Sequence, residues 1–175
     1  MSRRFLAHSK KRLIAAAVLM LIITAAAVLI RPLSSEYLVL YNSDTGLRHI
    51  TEKAEDGLMF SVEFVHSVNQ TPVKDTYIIE NGQIIAYSTT YRSFGAGVQT
   101  ALQEGQTMTY DENGNMVITG FDITYDPLRY IVGTVSDHIL TIDGKEISLR
   151  DMCGRNAKVV FEIATPFEIL TKGLL

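Results

Sequence analysis

Cysteine is nearly missing from this chain: Cys153 stands alone among 175 residues. That excludes an internal disulfide and any multi-cysteine zinc or iron–sulfur site. A lipoprotein cysteine would directly follow the N-terminal apolar run, whereas Cys153 lies near the other end. Acidic residues are missing from one whole region, since none precedes Glu36 while Arg3, Arg4, Lys10, Lys11, Arg12 and Arg31 all fall there. From Pro32 onward 10 Lys and Arg face 19 Asp and Glu, so the net charge of −3 divides into about +6 and about −9. No nucleic-acid partner is expected for so acidic a region. Internal repeats, low-complexity tracts and an interdomain linker are also lacking, and the length suits one domain plus an appendage. No cofactor motif is present and no cofactor is expected.

The appendage is the segment Leu13 to Ile30, LIAAAVLMLIITAAAVLI, with Thr24 as its one polar residue. At 1.5 Å per residue it would span about 27 Å as a helix, close to the hydrocarbon thickness of a bilayer. A cleaved signal peptide is the competing reading. It would want a shorter apolar stretch, and its small-x-small site would have to be Ala25 and Ala27, which lie inside the run. Five basic residues precede Leu13 and one, Arg31, follows Ile30, which orients the N-terminus to the cytoplasm. The organisation expected is a basic tail over 1–12, a transmembrane helix over 13–31 and an extracytoplasmic domain over 36–175, single-pass in a bacterial-type cytoplasmic membrane.

The domain reads as mainly β, a compact antiparallel β-sandwich or small barrel. Tyr37 to Tyr41 and Leu58 to His66 are strand-like, the second placing Leu58, Phe60, Val62, Phe64 and His66 on one face. Asp75–Glu80 and Gln83–Tyr91 flank Asn81-Gly82, the dipeptide of a type I′ hairpin. Further runs, MVITGFDITY, YIVGTV, HILTI and KVVFEIA, alternate with turn signals at Asn113, Asp126-Pro127 and Asp143-Gly144. Short helices are expected near Leu149–Cys153 and Phe167–Leu170.

An unbroken ladder from that hairpin would pair Glu80 with Gln83, Asp75 with Ser88, Pro72 with Tyr91 and Thr71 with Arg92. His66, Ser67, Pro72, Asp75, Arg92, Ser93, Phe94, Gly95 and Gly97 would then meet at the open end of the hairpin. A hydrolase would use Ser67, His66 and Asp75, but adjacent strand residues point to opposite faces and no nucleophile elbow is present. A metal could use His66, Asp75 and His138, against the alternative of a strand-end histidine bonded to the glycine loop. Gly95, Gly97 and Arg92 could hold an anion, although SFGAG lacks the lysine and helix of a P-loop and paired glycines also serve a bulge or corner. Asp111, Asn113 and Asn115 imitate the start of a calcium loop without its later glycine and glutamate, so a turn is expected there.

The segment F64-V-H-S-V68, with T71-P-V73, Asp75 and S93-F-G-A-G97, resembles the domain of unknown function 1850 family. The resemblance covers roughly His49 to Asp122. Asp75 stands where that family usually has glutamate, and Val98-Gln99 where it commonly has Leu-Pro. The resemblance implies a non-catalytic accessory role beside a tripartite ATP-independent periplasmic (TRAP) transporter with a TAXI solute-binding protein, either the permease or the binding protein being the partner. The alternative is a sensor of a small organic anion or a metal ion.

Overall fold

In the computed structural model residues 16–24, 35–66, 70–92 and 101–174 are described. Residues 16–24 form helix α1. The hydroxyl of Thr24 donates back to the carbonyls of Met20 and Leu21, so the one polar group of the apolar run is satisfied within its own helix. The rest of the 13–31 segment lies outside the described residues, and among these no helix is long and apolar enough to cross a membrane.

Residues 35–174 are mainly β. The strands are β1 (Tyr37–Asn42), β2 (Arg48–Lys53), β3 (Met59–Val65), β4 (Pro72–Glu80), β5 (Gln83–Tyr91), β6 (Thr107–Tyr110), β7 (Met116–Thr119), β8 (Thr124–Tyr125), β9 (Leu128–Ile131), β10 (His138–Ile142), β11 (Lys145–Ser148) and β12 (Lys158–Ala164). Helix α2 (Leu149–Cys153) and helix α3 (Pro166–Thr171) fall where the sequence suggested short helical pieces. A small sheet has the order β2-β1-β12-β9, and a large one runs β11-β10-β3-β4-β5-β7-β6 with β8 added to β5. Neighbouring strands are antiparallel in both.

The two sheets face each other across one core. Leu38, Leu40, Val159, Phe161 and Leu128 come from the small sheet, and Phe60, Val62, Tyr77, Ile79, Ile84, Leu140 and Ile142 from the large one. Phe60 joins them, with its ring 5.2 Å from both Tyr77 and Phe161. On the outer side of the small sheet α3 packs Ile169 against Val39, Ala164 and Leu174.

The Asn81-Gly82 turn forms as the sequence requires, with φ of 51° and 69° and Glu80 opposite Gln83. The ladder beyond it does not stay in step. Tyr77 pairs with Ala86 but Thr76 pairs with Ser88, so Tyr87 is an extra residue on β5. Asp75 therefore faces Thr89, not Ser88, and Tyr91 faces Val73, not Pro72. The bulge reverses which side chains of β5 point inward. Ile84 faces the core before it, and Thr89 and Tyr91 share the inner face after it.

A second departure concerns the run MVITGFDITY, which divides into β7 and β8. A Cβ at Gly120 would lie 2.3 Å from the carbonyl oxygen of Gly105, and the residue has φ of 80°, so the chain turns there against neighbouring backbone.

Deleting Tyr87, the extra residue of the bulge, should make the ladder continuous and leave Thr89 opposite Asp75 and Tyr91 opposite Val73. Tyr91→Ala, which empties a site only 2% exposed, should cost at least about 3 kcal/mol, the scale of removing one large core aromatic. Urea unfolding of the full-length protein checks it, and a Tyr91→Ala variant as stable as the parent would contradict this register.

Candidate functional site

A row of inward side chains crosses the whole large sheet: Ile147, Leu140, Val62, Asp75, Thr89, Ile118 and Met108 are successive cross-strand partners. Every other member except Thr89 is apolar, and Val62 and Leu140 are fully buried. An aspartate at the centre of such a row needs partners. The Thr89 hydroxyl donates to Asp75 Oδ1 at 2.8 Å, and the Tyr130 hydroxyl donates to Oδ2 at 3.3 Å. Tyr130 reaches it from β9, in the opposite sheet. Its oxygen also lies 2.5 Å from the Tyr77 hydroxyl. With Asp75 ionised, the pattern that satisfies every group runs from Tyr77 to Tyr130 to Asp75, with Thr89 donating to the other oxygen.

No cation is paired with this carboxylate among the described residues. Burial pushes Asp75 above the ordinary carboxylate range, while the hydrogen bonds from Thr89 and Tyr130 work the other way. Tyr77 and Tyr130 are both raised, first by burial and then by neighbouring charge, so both remain protonated donors.

Beside Tyr130 stand two further rings. His138 stacks on Phe64 at 5.0 Å and meets Tyr130 edge-on at 5.9 Å. Phe64, Asp75, Thr89, Tyr130 and His138 are all part-exposed, in contrast to the sealed Phe60 layer. His138 Nδ1 accepts the Gly133 N–H at 3.1 Å, which assigns its own proton to Nε2 when neutral. Burial lowers its pKa. The loop before it is pinned by Asp137, whose carboxylate accepts the backbone N–H groups of His138 and Arg150 and the Ser148 hydroxyl. Ser148 in turn caps α2 by accepting the Asp151 N–H.

Of the residues singled out from sequence, Asp75 belongs to this network and Pro72 begins β4, paired with Val65. His66 follows β3, its N–H donating to the Thr71 carbonyl and its carbonyl accepting from the Gln70 N–H. Arg92 is exposed just after β5. Ser67, Ser93, Phe94, Gly95 and Gly97 lie outside the described residues. The metal set of His66, Asp75 and His138 is not assembled: both Asp75 oxygens are held by hydroxyls, and no group of three or more His, Cys, Asp or Glu among the described residues could hold a metal. The Asp111 carboxylate turns onto its own loop, accepting from the N–H groups of Asn113 and Asn115 and the Asn115 side chain, as a turn would have it. Tyr77, Thr89 and Tyr130 escaped the sequence reading. The alternation of β4 could have offered Tyr77 as a neighbour of Asp75, but Tyr130 meets it only through the packing of β9.

These features define a class, a two-sheet antiparallel β domain with a carboxylate–tyrosine network crossing its interior. The chain belongs to the family described as Domain of unknown function (DUF1850), whose model matches residues 60–149. The match takes in the large sheet except its first residue, Met59, together with β9, and so includes every member of the network. No curated protein and no solved structure matches the chain.

Between the ordinary value of 3.8 and its raised value, Asp75 keeps the folded state more protonated than the unfolded one. Folding stability should therefore fall as pH rises across that window, by up to about 1.4 kcal/mol per pH unit. Asp75→Asn should abolish this contribution: the variant gains on the parent as pH rises through the window and keeps a constant difference below it. A parallel pair of stability–pH curves would contradict the assignment. Tyr130→Phe, which leaves Asp75 and Tyr77 without their shared partner, should cost about 1–3 kcal/mol by urea unfolding.

Proposed function

We propose that this protein is a membrane-anchored extracytoplasmic accessory module, held by Leu13 to Ile30 in a bacterial cytoplasmic membrane and engaging a TAXI-type TRAP transport system. The engaging surface is the end of the large sheet that carries His66, Pro72 and Arg92. One observation above all supports this. The described chain enters the domain at its opposite end, where a Cβ at Gly82 would lie 2.6 Å from the Glu36 carboxylate. Glu36 is thus packed on the tip of the β4–β5 hairpin, while Pro72 and Arg92 stand at its open end. Eight residue steps of β4 separate the two, about 27 Å in an extended strand. A tether at one end leaves the other unobstructed.

The network fits this reading better than it fits chemistry. Asp75, Tyr77 and Tyr130 hydrogen-bond one another across the core, which makes a stiff scaffold behind the open end. Confinement to the membrane raises the effective concentration of the module near its partner, so weak contacts suffice.

A photo-crosslinking residue at position 92 in cell membranes should capture the TRAP permease or its solute-binding protein, and one at position 146 on β11 should not. Equal yields at both positions, or none of either protein at position 92, would contradict the proposal. The anchor is checked separately: the full-length protein should stay with membranes through alkaline carbonate extraction.

A further inference from the structure

We infer that Phe167 and Leu170 of α3 dock the domain onto the lipid surface from which it is tethered. The inference rests on the membrane-anchored reading above. Phe167 is 68% exposed and Leu170 79%, and their spacing of three residues puts them on one helical face. Ile169 points the other way into the core beneath. The helix is well fixed for its length. Pro166 occupies its first turn, and Thr165 and Glu168 form a reciprocal capping box. The two side chains are therefore presented by a built element and not by a fraying end.

The charged groups of this helix are already satisfied. The Glu168 carboxylate accepts from the backbone N–H and the hydroxyl of Thr165, each at 2.8 Å. Lys172 is ion-paired with Glu162, which also accepts from the Tyr41 hydroxyl. Bringing this face to lipid strands no charge.

Lipid is the occupant that the chain itself brings near. Ala164, two residues before α3, is the cross-strand partner of Tyr37. Tyr37 follows Ile30 by seven residues, a distance the chain can stretch to at most about 25 Å. The start of α3, one cross-strand spacing and two residues further on, is thus held within about 40 Å of the bilayer. Charge does not supply the attraction, because the domain is acidic and a cleft of about 230 Å³ beside α3 is lined by Glu36, Asp126, Glu162 and Glu168. Docking is apolar, and a zwitterionic surface suffices.

The chain contains no tryptophan, so F167W supplies a single fluorescent probe. The full-length variant is reconstituted in phosphatidylcholine vesicles carrying doxyl-labelled phosphatidylcholine. Emission should fall by about half or more, as for a ring about 5–10 Å into the interface. L170W should behave alike. V135W is the control, since Val135 is 91% exposed and lies beyond the Ile131 end of β9, which pairs with the far end of β12 from Ala164. Its emission should be unaffected. Equal, unquenched emission from all three probes, in vesicles that retain the protein through a carbonate wash, overturns the docking and leaves the anchor standing. Release of the protein by the wash overturns the anchor reading, and the docking with it.

Discussion

The extra residue Tyr87 on β5 governs what the interior of this domain contains. Antiparallel pairing has a period of two, so one inserted residue exchanges the inner and outer sets of every position after it. Because of that exchange Thr89 lies opposite Asp75 on the core face, and Tyr91 closes a cluster with Val73, Met116 and Ile118. With Tyr87 paired in an unbroken ladder, Ser88 would face Asp75 instead, and Thr89 and Tyr91 would turn to the outer face.

From that placement the rest of the network follows. A carboxylate among Val62, Leu140 and Ile118 gains free energy from any hydroxyl that reaches it, and Tyr130 reaches it from the other sheet. The resulting hydrogen bonds cross the core, where aromatic stacking alone would permit the sheets to slide. Direction matters in such a contact, since a donor displaced by an ångström is a donor lost. A polar network of this kind costs desolvation and returns a fixed alignment of the two sheets. The alignment carries outward, because Tyr130 is also the edge-on neighbour of His138, whose loop is pinned by Asp137 to the cap of α2.

Much of this was legible in the sequence where the signal is local. Asn81-Gly82 has only one good two-residue turn available between alternating strands, and Leu149–Cys153 and Pro166–Thr171 carry their own caps. The apolar alternation of Phe60, Val62 and Phe64 also reads directly as an inner face. The bulge at Tyr87 was not legible, because AYST contains nothing that distinguishes a broken ladder from a continuous one. Tyr130 was hidden for a different reason. It stands 55 residues from Asp75, and the two meet only after β9 has paired with β12 and the sheets have packed. The family resemblance pointed to Asp75 and the open end of the hairpin, and the hydrogen bonds from Thr89 and Tyr130 supply the physical content for Asp75.

The most direct test of this account is the ionisation of Asp75 itself, followed by carboxyl-carbon NMR in the full-length protein. Titration should fall above the ordinary carboxylate range in the parent, and higher still in Tyr130→Phe, where one hydrogen bond to the ionised form is gone. A carboxyl that titrates at or below the ordinary value, or one that Tyr130→Phe leaves unmoved, would show that Asp75 is neither buried in the core nor tied to the opposite sheet.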